Sequence, residues 1–137
     1  MPKLFSFDAD ETLEISRGPI KIQDLRDLHD AGHIVGIVGN WGLVVQVIPD
    51  WHRFVSFVSC SIQATDAVGN VYGDKGWFLT ELSKYIRADG YYHVGNVFGA
   101  TNKLGVVCGS HDKEAVEKAG SPWVFVKEDD WVLGDYV

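Results

Sequence analysis

Five short runs of nearly uninterrupted apolar residues punctuate the chain: Lys3 to Phe7, Ile34 to Val38, Val55 to Ile62, Tyr91 to Val94 and Trp123 to Val126. Alternating apolar and polar residues would mark a sheet with one wet face. Continuous apolar runs mark strands covered on both faces, as in a parallel sheet. Between the runs the period changes to that of a helix. Ile22, Leu25 and Leu28 share one face of a segment that ends at Gly32, the residue type that most readily follows a helix terminus. Leu43 to Ile48 predicts a second helix, which Pro49 must end or kink. Phe78, Leu82, Tyr85 and Ile86 predict a third helical face that closes near Asp89-Gly90, and His111 to Ala119 a fourth that closes at Gly120, with Pro122 beyond. Strands and helices alternate, so the pattern predicts βαβ units: one α/β domain over residues 1–137 with a central parallel sheet. Two stretches follow neither period. Gln63 to Asp74 reads as a hairpin or flap, and Val97 to Gly109 as a Gly-bearing connection around the apolar run Leu104 to Cys108.

Composition narrows the class. The chain has 137 residues, 46% of them hydrophobic and 23% charged. A domain of this size buries roughly 68% of its unfolded surface, enough for a core without disulfides or structural metal. The net charge of −7, from 12 Lys+Arg against 19 Asp+Glu, argues against a broad nucleic-acid-binding surface. Cys60 and Cys108 lie in apolar runs with no Cys-x-x-Cys or Cys/His cluster, which reads as two buried free thiols in a reducing compartment. Asp8, Asp10 and Glu11 precede any long apolar stretch, unlike a secretory signal. The longest uncharged run, Ile34 to Pro49, is broken by Gly36, Gly39, Asn40, Gly42 and Gln46, a poor membrane span. The expectation is a cytoplasmic protein without membrane contact.

In open α/β sheets, ligands sit beyond the carboxyl ends of the strands. The first strand delivers Asp8-Ala9-Asp10-Glu11-Thr12-Leu13 to that edge. Carboxylates two residues apart there lie on one side of the chain, where like charge favours a bound cation or a shared proton. An apolar strand followed by Asp-x-Asp-x-Thr-Leu resembles the first motif of the haloacid dehalogenase (HAD) superfamily, and the other landmarks of that family follow in order. The second motif aligns with Ile37-Val38-Gly39-Asn40, although Gly39 has no hydroxyl. The third, a lysine opening a helix, aligns with Lys75. The fourth aligns with Gly95-Asn96, with Asp112 as its second acid across an insertion; a rival alignment sets it at Gly109-Ser110-His111-Asp112-Lys113-Glu114. Both lack the first acid.

The resemblance implies a HAD-like Rossmannoid α/β/α sandwich and a Mg²⁺-dependent phosphohydrolase acting through an aspartyl-phosphate. Asp8 would be the nucleophile. Asp10 would protonate the leaving oxygen and then activate water, and Lys75 would balance charge. Thr12 would fix the loop, while the backbone N–H groups at Gly39 and Asn40 would meet the phosphate. Mg²⁺ would sit among Asp8, the Asp10 carbonyl, Asn96 and Asp112, with Asn96 offering a neutral oxygen that weakens the site. The stretches from Leu13 to Gly39 and from Asn40 to Lys75 must each hold a crossover, which leaves no room for a full cap domain. Capless members of the family take large phosphorylated substrates or borrow a neighbouring subunit as a lid, so a homo-oligomer fits the resemblance as well as a monomer. The absent hydroxyl and acid keep a second reading open, a degenerate HAD-like module that binds a phosphate ligand or a partner without turnover. A receiver domain is a third; its acceptor Asp would follow the third strand, where Gln63 stands.

His29, His33, His52, His93 and His111 lack metal-ligand spacing and read as surface, capping or core residues. The five tryptophans read as core, except Trp41, which is expected near the substrate mouth.

Overall fold

The computed structural model describes residues Met1–Val137. In chain order it contains β1 (Leu4–Phe7), α1 (Ile22–Asp30), β2 (Ile34–Ile37), α2 (Trp41–Val47), β3 (Phe57–Val58), a hairpin of β4 (Ala64–Thr65) and β5 (Val71–Tyr72), α3 (Lys75–Tyr85), β6 (Tyr91–Gly95), α4 (Asp112–Ala119) and β7 (Trp123–Lys127). The sheet order is β3-β2-β1-β6-β7, and every pairing in it is parallel. The fold is α/β with a Rossmann-like central sheet flanked by helices, as the apolar runs predict.

Every residue of β1 is buried because the strand is central and covered on both faces. Its alternation divides the core. Phe5, Phe7 and Ala9 pack with Leu25 and Leu28 of α1, Val44 of α2 and Trp131 of the C-terminal segment. Leu4 packs with Leu79 and Leu82 of α3 and with Ala115 and Val116 of α4. Burying side chains of this size stabilises the fold by about 1.5–3 kcal/mol each. Helix α1 buries the predicted Ile22, Leu25 and Leu28 and is followed by Gly32 at φ +93°. Its first N–H finds a distant partner, Glu14 Oε2, 2.6 Å from Ile22 N.

Three expectations are corrected. The run Val55 to Ile62 yields a strand only at Phe57–Val58, at one edge of the sheet. Ile62 is therefore exposed, and so is Cys60, whereas Cys108 is buried as expected. Tyr85 is exposed; the buried line of α3 is Gly76, Leu79 and Leu82, with Phe78 and Ile86 half-buried. That line is set by α4 as well as by the sheet, since a Cβ at position 76 would come within 2.6 Å of Lys118 Cδ. Gln63 to Asp74 does hold a hairpin. The apolar run Leu104 to Cys108 is a small excursion whose Leu104 and Val107 face outward and whose base is the Thr101–Val107 bridge. No helix is long and apolar enough to cross a membrane.

Candidate active site

From β1 the chain runs outward to β2 and β3, then returns on the other side of β1 to form β6 and β7. The carboxyl ends of the adjacent strands β1 and β6 thus flank the switch point where open sheets form a crevice. Phe7 lies opposite Val94, so the residues that follow, Asp8 and Asn96, are delivered to the same edge. Strand alternation turns Asp8 to the face of Leu4 and Ser6, under α3 and α4.

Asp8 is 1% exposed. Its Oδ1 accepts from Lys75 Nζ at 3.0 Å and its Oδ2 from Asn96 Nδ2 at 3.1 Å. Lys75 stands here because it is the first residue of α3: the preceding Asp74 caps the helix, its carboxylate accepting from Trp77 N at 2.8 Å. The same ammonium donates to Asp112 Oδ1 at 2.9 Å. Asp112 opens α4 and is fully buried; it also accepts from His93 Nε2 at 2.7 Å and from Asn96 N at 2.9 Å. His93 Nδ1 lies 2.6 Å from Ser6 Oγ. A continuous polar chain thus links Ser6, His93, Asp112, Lys75 and Asp8 beneath the sheet edge.

Two buried carboxylates share one ammonium here, so one of them gives way. Burial by itself raises both. For Asp112, the hydrogen bond and charge of His93, then the charge of Lys75 and the Asn96 N–H, outweigh it and hold the group well below the usual carboxylate range. Asp8 is pushed up to about 7, first by burial and then by the Asp112 charge, against the opposing pull of Lys75. Lys75 is raised: burial alone would lower it, but the Asp112 and Asp8 charges prevail.

Asp10 is half-buried, and its Oδ1 accepts from Ser16 Oγ at 2.8 Å and from Asn40 Nδ2 at 3.3 Å. Its carbonyl oxygen turns inward and accepts from Asn96 Nδ2 at 2.8 Å. Thr12, fully buried, donates to Asn96 Oδ1 at 3.0 Å. Gly39 N donates to Ser59 Oγ at 3.0 Å. The structure therefore brings Asp8, Asp10, Thr12, Gly39, Asn40, Lys75, Asn96 and Asp112 into one cluster. Gly109 sits instead at Glu11, whose Oε1 accepts from Gly109 N at 3.2 Å. Trp41 packs half-buried against the core on the α1 side. Beside Lys75 opens a cleft of about 340 Å³, lined also by Gln63, Asp74, Gly76, His111 and Glu114.

A Mg²⁺ ion binds oxygen ligands at about 2.0–2.1 Å. Asp8 Oδ2 and the Asp10 carbonyl do converge on one point, but the Asn96 amide nitrogen fills it, with both of its hydrogens engaged. No group of three or more Asp, Glu, His or Cys side chains is arranged to hold a metal ion. As arranged, these residues do not fit the ion.

No family model, curated protein or solved structure matches this chain.

Three residues that bond to the cluster or extend its polar chain escape sequence reasoning. His93 and Ser6 are each a single polar side chain inside an apolar strand, and register pairs them directly. Polarity in a run otherwise fit for burial was the available signal, since such groups need a partner. Ser59 had none, because its place beside Gly39 comes from the pairing with β2, where Ser59 N still donates to Ile37 O at 3.0 Å.

Proposed function

We propose that this chain is a phosphohydrolase of HAD-like type that works through an aspartyl-phosphate on Asp8. One observation carries the reading: a buried carboxylate at the sheet's switch point, met by an ammonium at 3.0 Å. In this reading a phosphomonoester enters beside Lys75, and Asp8, deprotonated, attacks phosphorus. The bond to the leaving oxygen breaks as Asp10 gives that oxygen its proton. Asp10 then takes a proton from water, whose oxygen attacks phosphorus, and the bond to Asp8 breaks to release phosphate. Lys75 offsets charge on the phosphoryl oxygens, and the Asn40 N–H would donate to them, since the Gly39 N–H already serves Ser59 Oγ. Thr12 acts through Asn96 by holding its amide. No step is assigned to Mg²⁺; the requirement implied by the family resemblance becomes a variable of the test.

That test is turnover of p-nitrophenyl phosphate, with Mg²⁺ and with EDTA, using Asp8→Asn as the blank. Turnover that vanishes in Asp8→Asn supports the reading. Equal turnover in both proteins, or none under either condition, overturns it.

A second reading, a module that binds a phosphate ligand without turning it over, is favoured by the Asn96 amide that covers Asp8 Oδ2. It predicts saturable binding of inorganic phosphate, weakened in Lys75→Ala, with no hydrolysis.

A further inference from the structure

Asn96 is fully buried, and each polar atom of its side chain has a partner. The orientation of its amide is dictated by chemistry. A peptide carbonyl can only accept, so the atom that meets Asp10 O at 2.8 Å must be the nitrogen. The second hydrogen of that nitrogen serves Asp8 Oδ2. The amide oxygen is satisfied by the Thr12 hydroxyl. Turning the amide over to present its oxygen to a cation would set Nδ2 against Thr12 Oγ1. The Thr12 hydrogen would then lose the one partner the structure gives it, and Thr12 is fully buried.

Charge points the same way. Around this point lie the carboxylates of Asp8 and Asp112, already sharing the Lys75 ammonium, and Asn96 adds none. A hard divalent cation competes poorly for two oxygens that already hold two well-placed N–H donors. A carboxylate at position 96 would reverse this. It would remove both donors and add a charged oxygen to two that already converge.

We infer that the Asn96 carboxamide takes the place of a divalent cation between Asp8 Oδ2 and the Asp10 carbonyl, so that the native site works without one. The cation site is latent, and Asn96→Asp would open it. The inference deepens the phosphohydrolase reading, and the part of it that concerns cation binding stands without that reading.

Bound Mn²⁺, followed by its paramagnetic resonance signal, and melting temperature in Mg²⁺ against NaCl of equal ionic strength test it directly. The wild type is expected to bind no Mn²⁺ above background and to melt at the same temperature in both salts. Asn96→Asp is expected to bind Mn²⁺ at least about tenfold more tightly and to gain stability from Mg²⁺ by mass action. Wild-type binding equal to that of Asn96→Asp, or no binding by a folded Asn96→Asp, overturns the inference. If Asn96→Asp folds only when Mg²⁺ is present, the inference stands. If it folds under neither condition, Asn96→Ala decides: Mn²⁺ binding above wild type supports the inference, and none above wild type overturns it. Wild-type phosphatase turnover that persists in EDTA supports it, and turnover abolished by EDTA overturns it. Absence of turnover from every protein would sink the phosphohydrolase reading and leave the Mn²⁺ result to decide this one.

Discussion

Gly39 faces Asp8 so closely that any side chain at position 39 would run into the Asp8 carboxylate, and its φ of +142° already lies where side chains are disfavoured. A hydroxyl at the end of β2 is therefore incompatible with Asp8 in its present place. The Ser59 hydroxyl, bonded to Gly39 N, supplies one from the end of β3 instead. Gly39→Ser is expected to destabilise the protein by about 1–3 kcal/mol in urea unfolding and to raise no activity. A Gly39→Ser protein as stable as wild type, with faster turnover, would contradict this account.

Lys75 and Lys103 offer a contrast within one protein. Lys75 Nζ bridges Asp8 and Asp112, whereas Lys103 is exposed in the Val97 to Gly109 excursion, where its backbone N–H donates to Asp129 at 2.9 Å. Lys75→Ala is expected to lower any phosphatase rate by roughly 10²-fold or more, the scale of losing one preorganised electrostatic partner. Lys103→Ala should change it less than about tenfold, because an exposed charge contributes little. Steady-state kinetics on both variants checks the order.

In the proposed reading the rate should rise with pH through about 7, because Asp8 would have to shed its proton to attack. Asp112→Asn removes the nearby anion that raises Asp8, so the acid limb of kcat/KM should move to lower pH; Lys75→Ala should move it up. Stability has the matching sign. The folded value lies above the ordinary 3.8, so the fold binds more protons than the unfolded chain between the two, and the Asp8 contribution falls as pH rises from 3.8 to about 7. Calorimetry of wild type against Asp8→Asn over that window should show the wild type losing ground as pH rises. A flat difference would remove the basis for the raised value.

His93 is a positioning residue in this arrangement, since it touches Asp112 and Ser6 and not the cleft. His93→Phe leaves the buried Asp112 without one of its donors and is expected to cost about 2–4 kcal/mol. Ser6→Ala should cost less by itself, and adding it to His93→Phe should cost almost nothing, because its partner is already gone. A double-mutant cycle in urea measures the coupling. Additive effects would mean that the Ser6–His93 contact does not contribute.

The sequence by itself determined the layers of this fold and half of its site. Apolar runs and helical spacing report which face an element buries, so β1, α1 and the parallel sheet were legible, as was Lys75 at the start of α3. The acids that follow β1 were legible for the same reason, because a buried strand must end at the sheet edge. What periodicity does not carry is the identity of the neighbour. Tyr85 matched the helical stripe, yet the packing of α4 against Gly76 chose a different line of α3 to bury. The run Val55 to Ile62 was apolar enough for a strand, yet it paired with β2 over Phe57–Val58 alone. The state of the site was also decided in three dimensions. Register set Ser6 against His93, and two distant segments gave Asp112 and Asn96 to Asp8. Two carboxylates are buried around one ammonium, and the hydrogen bond and charge of His93 on Asp112 then determined which of them keeps its charge.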